Sequence, residues 1–104
     1  MARVLVMYKT PKDPAAFDKY YFETHVPIAK KIPGLRKFEV SRGCAVSPAG
    51  DSGFHRIAVL HFDDMAAIQA GLASPEGQAA AADVQVFAPG EGAVQILMFE
   101  TRQV

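Results

Sequence analysis

The chain has 104 residues, half of them apolar, with 11 basic and 11 acidic side chains that cancel. That length fits a single domain spanning residues 1–104, and the apolar share is enough to bury a core, which excludes a disordered chain. Zero net charge leaves no field to gather nucleic acid or an anionic membrane, and Cys44 has no second cysteine to pair with. The apolar run 4–8 stops at Lys9, short of a signal-peptide core, and no stretch nears the roughly 20 apolar residues that cross a bilayer. The expectation is a cytoplasmic protein with neither a nucleic-acid nor a membrane partner.

In chain order, residues 3–8 are β-rich and apolar without a break, as in a strand covered on both faces. Asp13 and Pro14 have the chemistry of a helix cap and a first helical residue. Phe17, Tyr20, Tyr21, Thr24, His25 and Ile28 then recur on one helical arc. Pro27 lacks a backbone donor and restrains Val26, which predicts a break or kink just after His25. A further short turn over 28–31 is expected to end before Pro33 and Gly34. Residues 35–43 alternate, with Phe38 and Val40 on one side and Lys37, Glu39 and Ser41 on the other. A loop with a turn-rich tip is expected over 44–53, then a strand over 54–62 that is apolar on both faces. Asp63 or Asp64 caps a short helix whose buried side is Met65, Ile68 and Leu72. Ser74, Pro75 and Glu76 start the next helix, which the alanines 79–82 continue. Residues 89–92 form the last turn and 94–100 the last strand.

This order predicts an α+β fold, a ferredoxin-like βαββαβ domain: an antiparallel four-stranded sheet with helices on one face. Helices can cover only one side of such a sheet, yet three strands are apolar on both. Leu5 and Met7 oppose Val4, Val6 and Tyr8; Ile57 and Val59 oppose Ala58, Leu60 and Phe62; Leu97 and Phe99 oppose Val94, Ile96 and Met98. An exposed face of that size predicts a second copy packed sheet on sheet, a homodimer of the α+β-barrel kind.

Among residues able to carry chemistry, His25 stands at the edge of the apolar stripe. A helix C-terminus there would favour its charged form, while burial opposes it. It could serve as a general acid/base on a small aromatic or lactone-like substrate, or simply bond a carbonyl freed by Pro27. His55 and His61, six residues apart on one strand, should face the same side about 20 Å from each other, too far to share a metal. No Cys or carboxylate spacing supports a metal site, and no dinucleotide loop, P-loop or serine elbow is present, so no cofactor is expected. Arg56 could bind an anionic group or pair with Glu100 or another carboxylate. The aromatics read mainly as core, with Phe17, Tyr20 and Tyr21 beside His25 as the best candidates for a pocket wall.

The stretch Tyr20-Tyr21-Phe22-Glu23-Thr24-His25-Val26-Pro27-Ile28-Ala29, with Ile32-Pro33-Gly34-Leu35 after it, resembles the EthD family, whose hallmark is a Tyr-Tyr-x-x-x-His-x-Pro run leading into a Gly-Leu turn. The resemblance extends through Phe62-Asp63-Asp64-Met65 to Ser74-Pro75-Glu76-Gly77-Gln78. It implies the dimeric α+β barrel. Family members are often labelled reductases, and relatives with a similar barrel include cofactor-free monooxygenases and muconolactone-type isomerases. In an EthD-like methylmuconolactone isomerase the histidine matching His25 lies in the active site. That enzyme's strand tyrosine falls near Phe38 or Glu39, and its reactive cysteine belongs to a different loop from Cys44. Two readings follow. One is a cofactor-independent oxidoreductase or isomerase of aromatic or xenobiotic catabolism, with His25 moving a proton and Tyr8, Phe17, Tyr20, Tyr21 and Phe62 enclosing a small hydrophobic substrate. The other is a non-catalytic ligand-binding or accessory module on the same homodimeric fold.

Overall fold

The computed structural model describes residues 1–104. Its elements are β1 (Ala2–Lys9), α1 (Pro14–Tyr20), a π-helical turn (Tyr21–His25), α2 (Val26–Ala29) and β2 (Lys37–Val40). A small hairpin of β3 (Val46–Ser47) and β4 (Gly50–Asp51) follows, then β5 (Phe54–Phe62), α3 (Met65–Ala73), α4 (Pro75–Phe87) and β6 (Val94–Glu100). The four long strands form one antiparallel sheet in the order β2-β5-β1-β6, the ferredoxin-like arrangement expected from the βαββαβ order. The loop expected over 44–53 contains the β3–β4 hairpin, closed by Gly50 at φ 120°.

Capping chemistry sets the helix starts. Asp13 accepts from the Ala16 N–H at 3.1 Å, Asp64 from Ala67 at 2.7 Å, and Ser74 from Gly77 at 3.0 Å. Each satisfies one of the donors that a first helical turn leaves unpaired. Gly77 has a second role, since a Cβ there would collide with the Gly71 carbonyl where α3 turns into α4.

The break expected after His25 does not occur. Val26 keeps helical angles (φ −56°, ψ −46°), and its N–H reaches back five residues to the Tyr21 carbonyl. The wider π turn makes room for the Pro27 ring and its missing N–H, which would otherwise crowd and orphan a carbonyl of the preceding turn. The chain therefore stays helical from 14 to 29, and His25 lies inside the helical run rather than at its C-terminus. The wider turn also stacks Tyr21 and His25 on the same buried side.

The core lies between the sheet and the helices. Ala2, Val4, Val6 and Tyr8 of β1 and Ala58, Leu60 and Phe62 of β5 meet Phe17, Tyr21, Ile68 and Ala80 from the helices. The opposite face carries Leu5, Met7, Ile57 and Val59, all partly exposed, with Leu97 and Phe99 more open still. A bonded pair, His61 Nε2 to Glu39 Oε1 at 2.6 Å, borders that face. Edge strand β6 is exposed on both sides, since Ile96 and Met98, which share the helix-bearing face with Val4 and Val6, are only half covered.

His55 and His61 do not share a face. The β1–β5 register slips between Tyr8 and Lys9, so that Tyr8 pairs with Arg56 and Lys9 with Phe54. This bulge leaves His55 unpaired and turns it toward α1, where it meets Phe17 and Asp18. No helix is long and apolar enough to cross a membrane.

Candidate active site

Asp83, on the third turn of α4, is a buried carboxylate on the apolar side of its helix. One oxygen accepts from the Tyr20 hydroxyl at 2.6 Å, and the other meets His25 Nδ1 at 2.9 Å. An ionised carboxylate can only accept, so this contact keeps a proton on Nδ1 and leaves Nε2 as the lone-pair nitrogen. Nε2 has no bond within the chain, whereas Asp83 is satisfied on both oxygens.

Only 4% of His25 is exposed. Burial pushes its pKa below the ordinary imidazole value, outweighing the opposing pull of the Asp83 carboxylate. The ring is thus neutral near pH 7 and is a base at Nε2. The bond to Asp83 raises the pKa of Tyr20, which stays protonated and remains a donor. Phe87 packs on the imidazole with ring centroids 4.7 Å apart, and Tyr21 lies 5.4 Å from it and 5.7 Å from Phe87, so the three rings cluster together.

Beside this pair lies a cavity of about 160 Å³ between the sheet and α4. Its small residues make the space: Ala58 on β5, Ala29 on α2, and Gly77, Ala80 and Ala81 on α4. The alanine run thus supplies helix propensity and room at once. The only polar side chains in the wall are His25, Tyr8 and Tyr21. Burial holds both phenols protonated far above neutral pH. The Tyr21 hydroxyl makes no well-formed hydrogen bond, with only the Tyr8 phenol close to it, and a buried donor left without an acceptor costs about 1–3 kcal/mol.

The structure brings together Tyr8, Tyr21 and His25 at this cavity. Phe17 and Tyr20 instead border a wider, shallower groove beside the β1–α1 turn, which Phe87 also lines. Phe87 therefore separates that groove from His25. Phe62 borders neither space; it is wholly buried and packs where Gly34 and Gly71 approach it. Arg56 pairs with Asp18, at 2.9 Å, rather than with Glu100, and the same carboxylate meets His55 Nε2 at 2.8 Å. The residue that sequence reasoning missed is Asp83. Its signal was present: Ala80, Val84 and Phe87 make a helical stripe in which Asp83 is the one charged member.

A family model described as the EthD domain matches residues 9–91. The chain belongs to the EthD family. A relative from Rhodococcus erythropolis, described as an uncharacterized 11.0 kDa protein in the thcB–thcC intergenic region, is 41% identical over 90 residues, 86% of each chain. The crystal structure of an EthD family protein, bh0200 from Bacillus halodurans C-125, is 33% identical and superposes with a TM-score of 0.87 over 98% of this chain and 99% of that one. SnoaB from Streptomyces nogalater, described as a cofactor-independent oxygenase, shares the fold at 16% identity, with a TM-score of 0.67 over 99% of this chain and 94% of its own. In this EthD chain the Tyr-Tyr-x-x-x-His-x-Pro run spans the last residue of α1, the π turn and the start of α2, the segment that carries Tyr21 and His25 to the cavity.

Proposed function

We propose that this EthD protein is a small catalyst of aromatic or xenobiotic catabolism that moves a proton on a hydrophobic substrate, as an isomerase or a cofactor-independent oxidoreductase. One observation carries the reading: a buried imidazole held through Nδ1 by Asp83, its Nε2 without a bond in the chain and its ring in the wall of an apolar cavity. Such a base takes a proton from carbon or from a hydroxyl, and the Asp83 carboxylate stabilises the imidazolium that forms. Proton transfer of this kind serves an allylic isomerisation, and it equally generates the carbanion or phenolate that a cofactor-free oxygenase passes to dioxygen. The fold shared with SnoaB is compatible with the second use.

The working form in this proposal is a homodimer closed over Leu5, Met7, Ile57, Val59, Leu97 and Phe99. A face with that many large apolar side chains is more than a soluble monomer ordinarily shows to water. Sedimentation at micromolar concentration should give twice the chain mass, and a monomer there defeats this part of the proposal.

Deuterium wash-in provides the test of catalysis. Incubated in D2O with 2-cyclohexenone and with a butenolide, the protein should speed exchange at the acidic carbon, and His25→Ala should lower that rate by about 10²–10⁴-fold while the dimer persists. Equal exchange by both proteins removes His25 from the mechanism. Binding by the native protein without any exchange above buffer marks a ligand-holding module instead.

A further inference from the structure

Two buried side-chain polar atoms lack a well-formed hydrogen bond, Arg56 Nε and the Tyr21 hydroxyl. The Arg56 guanidinium already pairs with Asp18, whereas the Tyr21 hydroxyl lies outside both that pair and the His25–Asp83 pair. Tyr21 is wholly buried, its ring belongs to the cavity wall, and its hydroxyl makes no well-formed hydrogen bond: the neighbouring Tyr8 phenol approaches as a donor, and the Tyr21 proton has no acceptor. Native interiors seldom leave such a group unpaired unless a ligand or function requires it. Apart from His25, Tyr21 and Tyr8, the wall is aliphatic or aromatic, with Val4, Val6, Phe38, Leu60, Leu72 and Ile96 among its members. At about 160 Å³ the space is close to the roughly 150 Å³ that holds one benzene ring in an apolar protein cavity.

We propose that Tyr21 donates a hydrogen bond to the ligand, and that the cavity takes a single-ring molecule bearing one oxygen acceptor, a carbonyl or a phenolic oxygen. This rests on the cavity being the ligand site. The π turn that accommodates Pro27 sets the Tyr21 and His25 rings 5.4 Å apart on the same wall. A ring entering between sheet and α4 then meets a donor and a base together, while the remaining wall contacts carbon. Tyr8, edge-on to Tyr21 at 5.4 Å, stands behind the donor as the other phenol of the cavity. A ligand oxygen bonded to Tyr21 gains electron density when the neighbouring carbon or hydroxyl loses its proton to His25, so the bond strengthens as the reaction proceeds. Tyr21 thereby selects oxygen-bearing rings over hydrocarbons of the same size.

Tyr21→Phe deletes only the oxygen. Phenol and toluene, matched in shape, are titrated calorimetrically against the native protein and the variant. The expected result is a fall of about tenfold in the ratio of phenol to toluene affinity, with toluene affinity unchanged. The unliganded variant should melt close to the native protein, because the hydroxyl donates to no group of the chain and loses only the poorly formed approach of Tyr8. An unchanged affinity ratio overturns the proposal, and so does a clear drop in melting temperature, which would mark the hydroxyl as part of the fold. If neither probe binds the native protein, the reading of the cavity as a ligand site fails as well. A ratio that falls while His25→Ala leaves deuterium exchange untouched supports Tyr21 and rejects the catalytic reading alone.

Discussion

Two buried histidines in this chain each meet an aspartate at hydrogen-bond distance, and they differ in which nitrogen is left free. His25 holds Asp83 at 2.9 Å through Nδ1 and leaves Nε2 unbonded at the edge of a cavity. His55 holds Asp18 at 2.8 Å through Nε2, while its Nδ1 faces the Cys44 sulfur at 3.7 Å. The second pair also has a cation, because Arg56 takes the other Asp18 oxygen at 2.9 Å. In the first pair that place belongs to the neutral Tyr20 hydroxyl. Phe17 packs against both His55 and Phe87 and so stands between the two clusters. Burial and a carboxylate are common to both; under the proposed function, it is the unbonded nitrogen with space beside it that sets His25 apart.

The sharpest way to break this comparison is to change each aspartate into its amide. Asp83→Asn presents an amide N–H to the imidazole and favours the tautomer with the proton on Nε2, removing the base. The deuterium-exchange rate should fall by about 10³–10⁴-fold with the fold intact. Asp18→Asn should leave that rate within about twofold and instead lower stability by about 1–2 kcal/mol in urea, since Arg56 loses its counter-charge at a partly exposed site. A reversal of these two outcomes would mean that the roles have been assigned to the wrong pairs.

A smaller effect reports on His25 through pH. The His25 pKa lies below the ordinary 6.5, which is taken as its unfolded value. Between the two values the unfolded chain binds more protons than the folded one, so stability declines as pH falls below about 6.5. That contribution is complete above the unfolded pKa. In His25→Ala, urea midpoints measured from pH 7.5 to 5 should show a shallower acid-side decline than in the native protein. An unchanged slope would mean that burial does not depress this group.

Much of the architecture was legible because its signals are local. Asp13, Asp64 and Ser74 cap the helices that they precede, and strand alternation sorts Val4, Val6 and Tyr8 from Leu5 and Met7 across the sheet. The helical stripe likewise marks His25 and Tyr21 as inward-facing. What escaped depends on geometry that short-range rules do not carry. Pro27 reads as a breaker until the preceding turn widens to a π turn, and His55 changes face because one bulge shifts the register. Asp83 lies 58 residues from His25, and nothing but the packing of α4 against the π turn brings them together. Sequence could show a charged residue within an apolar stripe there, but not which donor it would meet. The partition of aromatics between two spaces was hidden for the same reason: Phe17 and Tyr20 lie on the stripe that carries Tyr21, yet they border the other groove, with Phe17 packed behind Tyr8 and Tyr21, which line the cavity.

The central claim is that His25 is a neutral base whose Nε2 lone pair faces the cavity. Nitrogen-15 spectra of the imidazole rings, recorded through a pH titration of the native protein with His25→Ala to assign the signal, test it most directly. At pH 7 the account predicts a protonated Nδ1, an unprotonated Nε2 and a midpoint below 6.5. A doubly protonated ring at pH 7, or a proton resident on Nε2, would contradict it.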